Sequence, residues 1–254
     1  MEAQVNQYIH KTWLDAWQHV VKKITLVDSH ELVSHLIEEW VAQEKPYVLA
    51  FVNAHAMNLV ADSEVFARDL IQADILLRDG SGMAKLFRLL HIRPGINLNG
   101  TDLIPKLIPR FDGKKIVLLG TQEPFLTNAS NKILNELAPR SDVHVMGGFY
   151  PGSDYVSLCE SLLPDLVILG MGMPKQESVA RLLQQQLSKP CLIVCGGAIV
   201  DFLGGKVGRA PTWVRSRGIE WLYRLFLEPR RLFKRYVLGN PLFLLRARKY
   251  ANSR

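Results

Sequence analysis

An α/β fold, a mostly parallel sheet flanked by helices, is what this sequence predicts, and three features predict it. Short apolar runs recur between residues 47 and 195. Each ends in a glycine or a polar residue, and most are followed by a stretch whose apolar residues have helical spacing. Tyr47–Asn53 (YVLAFVN) reads as a buried strand, and Ala56–Ile71 as a helix after it. Asp74–Leu77 is a short strand that runs into Arg78-Asp79-Gly80, with helices expected over Ser81–Leu90 and Thr101–Ile108. Lys114–Gly120 (KKIVLLG) is a clear strand, followed by a helix to about Leu137. Asp142–Met146 is a weaker strand and Tyr155–Leu163 a helix. Leu166–Gly170 is a strand, Glu177–Leu187 a helix, and Cys191–Cys195 the last strand, ending in Gly196-Gly197.

The 254 residues and an apolar fraction of 48% allow one large domain with a substantial core. The three cysteines, Cys159, Cys191 and Cys195, are odd in number and form no CxxC, which argues against disulfides and zinc and for a reducing cytoplasm. The start, MEAQVNQYIHKTW, has no apolar stretch of the signal-peptide kind, and no run approaches the roughly 20 apolar residues of a membrane span.

Charge is unevenly spread. Residues 206–254 carry thirteen Lys/Arg against two acids, Glu220 and Glu228, whereas residues 1–205 carry eighteen bases and twenty-two acids. We expect an α/β catalytic domain over 1–205 and a basic amphipathic appendage over 206–254. In the appendage Trp213, Trp221, Leu222, Leu225 and Phe226 recur at helical spacing with arginines between them. That pattern suits an anionic membrane surface better than nucleic acid, because bulky aliphatics and Trp imply burial in lipid or protein.

In open α/β sheets, ligands bind beyond the carboxyl ends of the strands. Polar residues gather at those ends: Asn53 and His55, Asp79, Gly120, Lys175 to Glu177, and Gly196 to Asp201. Taken singly, Asn53 and Asp79 could be no more than helix caps, and the glycines no more than turn formers. The stretch Gly170–Glu177 (GMGMPKQE) begins like a dinucleotide fingerprint, but Lys175 stands where the third glycine belongs and no ribose-binding acid follows. No DxD, HExxH, GxSxG or phosphate-binding Walker loop is present, and Asp62-Ser63-Glu64 falls inside an expected helix. What remains is a lone carboxylate, Asp79, on a glycine-flanked loop, with bases and backbone amides to handle phosphate. A carboxylate can serve as general base for a hydroxyl, and a leaving diphosphate can be stabilised by Arg, Lys and helix N-termini. That combination suits glycosyl transfer from a nucleotide sugar. A nucleic-acid-binding protein and a nucleotide-cofactor oxidoreductase are the rival readings.

Several segments together resemble the bacterial WecG/TagA/CpsF family of glycosyltransferases. They are Asn53-Ala54, ADILLRDGSGM, NGTDL at 99–103, GMGMPKQE, GGAIVDFLGGKVGRAPTW and GIEWLYRLFLEPRRLFKRY, spanning about 50 to 236. The resemblance implies a Rossmann-like fold and an inverting, metal-independent transfer. The donor would be a UDP-sugar, typically of N-acetylmannosamine type, and the acceptor an undecaprenyl-diphosphate-linked sugar at the cytoplasmic face of the membrane. It implies no cofactor beyond the donor substrate, and it allows a homo-oligomer. It places the catalytic aspartate at Asp79 and the active-site glutamine at Gln176. With it we expect substrate contacts from Asn53, His55, Gly80, Asn97, Asp102, Gly120, Gly170, Gly172, Lys175, Glu177, Gly197 and Asp201, and phosphate contacts from Arg209, Arg224 and Arg231. Pro174 suits a first helical turn, and Glu177 suits the helix dipole. The chain departs from the family where many members have Thr-Pro-Asn-Pro-Glu and it has Phe51-Val52-Asn53-Ala54-His55. It departs again at Asn97, where many members place an arginine, and an amide cannot replace a guanidinium clamp on diphosphate.

Overall fold

A computed structural model describes residues 12–211, 213, 214 and 217–254. Its strands are β1 (Ile24–Thr25), β2 (Tyr47–Val52), β3 (Ile75–Arg78), β4 (Lys115–Gly120), β5 (Asp142–Met146), β6 (Leu166–Gly170) and β7 (Leu192–Cys195). They form one sheet in the order β1-β3-β2-β7-β6-β4-β5, and every pairing is parallel. The expected α/β, Rossmann-like fold is therefore present.

Both faces of the sheet are covered, which is why its strands read as continuous apolar runs and not as alternating ones. Successive side chains still point to opposite faces. Val48, Ala50 and Val52 join one core, and Leu49 and Phe51 the other. The first core is closed by α1 (Trp13–Lys23), α3 (Ala54–Asp62), α4 (Glu64–Gln72), α5 (Gly80–Leu89), α8 (Gly152–Leu162) and α9 (Lys175–Gln186). The second is closed by α2 (His30–Val41), α6 (Gly100–Leu107), α7 (Phe125–Lys132) and α10 (Ile199–Leu203).

One expected helix is two. The run Ala56–Ile71 breaks at Ser63, which ends α3 and caps α4, its Oγ accepting from Phe66 N at 3.2 Å. The apolar spacing continues across the break because both helices lie on the same core. Asp62-Ser63-Glu64 thus sits at a helix junction, not inside a helix.

The basic segment continues as α11 (Glu220–Leu227), α12 (Pro229–Phe233), a π-helical turn over Lys234–Leu238, and α13 (Gly239–Asn252). The boundary at 205 marks a change in charge, but packing crosses it. α13 belongs to the first core through Phe243, Ala247 and Tyr250. The rings of Phe243 and Tyr250 each lie 5.7 Å from that of Trp17, whose Nε1 donates to Met57 O at 2.7 Å. Asn58 Nδ2 donates to Gly239 O at 2.8 Å, and Arg246 pairs with Asp62.

Candidate active site

The carboxyl ends of β2, β3, β6 and β7 open into one cavity of about 740 Å³, roofed by the segment from Gly218 to Leu244. At the end of β2, Asn53 caps α3 through Oδ1, which accepts from Ala56 N at 3.1 Å. Its Nδ2 donates to Asp79 Oδ2 at 3.3 Å, so one amide both starts the helix and holds the neighbouring carboxylate.

Asp79 follows β3 and stands where a carboxylate would cap α5, yet its side chain makes no such bond. It is turned into the cavity instead. Burial raises its pKa, opposed by the Asn53 hydrogen bond and by the charges of Arg235, Arg78 and Arg224. The loop beneath it is fixed by the buried Arg78. That guanidinium donates to Pro94 O at 2.7 Å, Gly80 O at 3.0 Å and Gly95 O at 3.2 Å. The loop in turn presents Asn97, whose Oδ1 accepts from Gly80 N at 2.7 Å. Gly80 has φ +85, a left-handed backbone that favours glycine.

On the opposite wall, Gln176 lies in the first turn of α9 and is buried, its Oε1 accepting from Gly197 N at 3.0 Å and its Nε2 donating to Glu177 Oε1 at 2.8 Å. Asp201, on α10, accepts from Thr121 Oγ1 at 2.5 Å and faces Lys206 Nζ at 3.2 Å.

The roof is cationic. Arg224, Arg231 and Arg235 line it. Arg231 is paired with Glu228 (Nε–Oε1 2.9 Å), but the Nε atoms of Arg224 and Arg235 are buried with no hydrogen-bond partner among the described residues. Burial lowers the pKa of Arg235. It also lowers that of His55 to about 4, with Arg235 adding to the effect, so this imidazole is neutral. Glu220 lines the roof as well, its pKa raised by burial while Arg224 opposes and Asp79 adds. A buried guanidinium N–H without an acceptor is costly, and a bound anion would supply one.

Most of the expected site residues converge here: Asn53, His55, Asp79, Gly80, Asn97, Gly170, Gly172, Gln176, Gly197, Asp201, Arg224 and Arg231 all line the cavity. Five stand outside its lining. Lys175 points away, donating to Gly148 O at 2.9 Å and Tyr150 O at 2.7 Å beside the Tyr155 ring. Gly120 faces Gly170 across β4 and β6, where a Cβ would lie 2.6 Å from the Gly170 backbone. Asp102 receives the Asn99 side chain at the start of α6 and pairs with Arg209, which takes both away from the cavity. Glu177 is buried behind Gln176. Sequence reasoning did not single out Arg78, Glu220 or Arg235. Arg78 had a signal, a cation closing an apolar strand (ILLR), but Arg235 looks like any other base of the segment until the helices are folded.

A half-buried carboxylate facing guanidinium groups whose Nε atoms lack a hydrogen-bond partner among the described residues, at the carboxyl rim of a parallel sheet, is the equipment of a group-transfer enzyme with anionic substrates. The model of the Glycosyl transferase WecG/TagA/CpsF family matches residues 19–254, and the chain belongs to that family. It is a glycosyltransferase. It is 28% identical, over 89% of both chains, to an N-acetylglucosaminyldiphosphoundecaprenol N-acetyl-beta-D-mannosaminyltransferase of Bacillus subtilis (strain 168). A protein of the same name from Staphylococcus aureus (strain MRSA252) is 25% identical over 78% of each chain.

Proposed function

We propose that the protein transfers a sugar of N-acetylmannosamine type from a UDP-sugar to a polyprenyl-diphosphate-linked sugar, with inversion and without a metal. The observation that carries this reading is Asp79 in one cavity with Arg224 and Arg235, whose Nε atoms have no hydrogen-bond partner among the described residues. Asp79 takes the proton of the acceptor hydroxyl, and its raised pKa makes it a stronger base than an exposed aspartate. The oxygen attacks the anomeric carbon from the face opposite the leaving group. The bond to the donor diphosphate breaks, and the charge passes to the roof arginines. Asn53 fixes the base, and Gln176 fixes the turn at Gly197 on which the donor rests.

The names of the relatives, which specify an undecaprenol-diphosphate acceptor, support the acceptor class. The surface offers a place for such a lipid to be met. Among the described residues no helix is long and apolar enough to cross a membrane. Leu222, Phe226, Phe233 and Leu238 are nonetheless exposed beside Arg230 and Lys234. We assign this face to the headgroup region of an anionic bilayer.

The test is Asp79→Asn. It keeps the fold and the UDP-induced thermal shift but lowers turnover by roughly 10²–10⁴-fold. Near-normal turnover would refute the base, and no thermal shift with UDP in the unaltered protein would refute the donor.

A further inference from the structure

We propose that Glu177 is a positioning residue: its carboxylate holds the Gln176 amide in the orientation that engages the Gly197 N–H on the cavity wall. The two ends of an amide are chemically different, one accepting and the other donating. Gln176 Oε1 accepts from Gly197 N at 3.0 Å, and Nε2 donates to Glu177 Oε1 at 2.8 Å, with Cys195 O further off at 3.5 Å. Turning the amide over would set its NH₂ against the Gly197 N–H and its oxygen against a carboxylate oxygen. An ionised carboxylate only accepts, so it excludes that reversal. A protonated carboxyl can also donate, and the exclusion lapses.

The carboxyl group is well placed for such a role. Glu177 is 2% exposed, outside the cavity lining, and its Oε2 has no hydrogen-bond partner among the described residues. Its bond to Gln176 is a side-chain link between its charge and the cavity wall. Gly197, at φ +60, and Gln176 both line the cavity, so the lock reaches the wall where a substrate rests.

Burial pushes the pKa of Glu177 up to about 7, with the Gln176 bond opposing and Asp69 on α4 adding to the rise. Asp69 is itself drawn towards Arg181 Nε at 2.8 Å and Arg68 Nε at 3.8 Å. The Cys195 thiol of β7, raised by its own burial and by Glu177, stays protonated. The lock therefore tightens as pH rises through neutrality.

This inference rests on the transfer reading only in giving Gln176 a substrate to face, and its main test needs no substrate. In the unliganded protein the side-chain ¹H–¹⁵N resonances of Gln176, assigned with Gln176→Ala, are followed from about pH 5.5 to about 8.5. We expect one transition near neutrality, absent in Glu177→Gln, whose backbone spectrum confirms the fold. Resonances that do not titrate, or that titrate equally in Glu177→Gln, would overturn the proposal and leave the transfer reading intact. The profile of kcat/KM against pH carries the same transition, and Glu177→Gln removes it. The Asp79 limb is common to both proteins, so identical profiles in the two would also overturn the role.

Discussion

α13 buries Phe243, Ala247 and Tyr250, whereas α11 and α12, built from nearly the same residue types, bury Leu232 alone and leave Phe226 86% exposed. The difference lies in the surface each helix meets. α13 finds the Trp17 ring and the apolar flank of α3, so Phe243, Ala247 and Tyr250 turn inward, while Leu242 and Leu245 stay exposed and Arg246 pairs with Asp62. α11, α12 and the turn after them lie over the cavity that holds Asp79. Arg224, Arg231 and Arg235 line that cavity together with Trp221 and Leu225, while Phe226, Phe233 and Leu238 are exposed, so the inner face mixes cations with apolar groups, unlike an ordinary amphipathic helix on a globular protein. Amphipathic composition therefore establishes that a helix has two faces. The neighbour decides which face is buried.

Replacing one aromatic in each stretch gives the sharpest separation. Phe243→Ala should lower the unfolding free energy by about 3–5 kcal/mol, because it empties a site inside a packed core. Phe226→Ala should change it by less than about 0.5 kcal/mol. Chemical denaturation with a matched m-value decides, and similar losses would erase the contrast. Arg235→Met comes next. Removing a guanidinium whose buried Nε has no hydrogen-bond partner among the described residues should stabilise the unliganded protein by about 1–3 kcal/mol while weakening UDP binding. A variant that loses stability would mean that Arg235 is already satisfied.

A smaller effect tests the outward face. Phe226→Ser with Phe233→Ser should reduce flotation with anionic vesicles while leaving the melting temperature near that of the unaltered protein. Unchanged flotation would remove the lipid assignment. The smallest effect is on His55. Its pKa of about 4 is set first by burial and then by Arg235. Arg235→Met should raise it while burial keeps it below the ordinary value. The imidazole is neutral in the folded protein and charges more readily when unfolded, so its contribution to stability is present above about pH 6.5 and is lost towards pH 4. Ring-proton NMR measures the shift, and an unmoved His55 would separate it from the roof.

The sequence showed the fold well because buried parallel strands are uninterrupted apolar runs, as in Lys115–Gly120 and Leu166–Gly170. It did not show the two-residue β1, which is too short for any pattern, or the break at Ser63, where helical spacing carries on into the next helix. At the site, chain position was legible and side-chain direction was not. Lys175, Gln176 and Glu177 are consecutive on one helix, yet the first binds loop carbonyls, the second lines the cavity, and the third is buried behind it. Glu177 matched a simple interaction with the helix dipole, and only packing revealed a carboxyl group out of water. Arg235 was one base among many until the turn after α12 brought it over Asp79.

The contact of Trp17 with Phe243 and Tyr250 also bears on how the protein is made. Trp17 leaves the ribosome more than two hundred residues before Phe243 does. At ordinary rates of synthesis that interval is on the order of ten to forty-five seconds. Throughout it the face of the indole that these two rings cover has no native partner, although Trp13 and Met57 are at hand early, and the closing piece comes more than two hundred residues later. Completion of this core waits for α13, and every truncated product of translation lacking that helix presents the part of the core that Phe243 and Tyr250 would cover to chaperones and proteases.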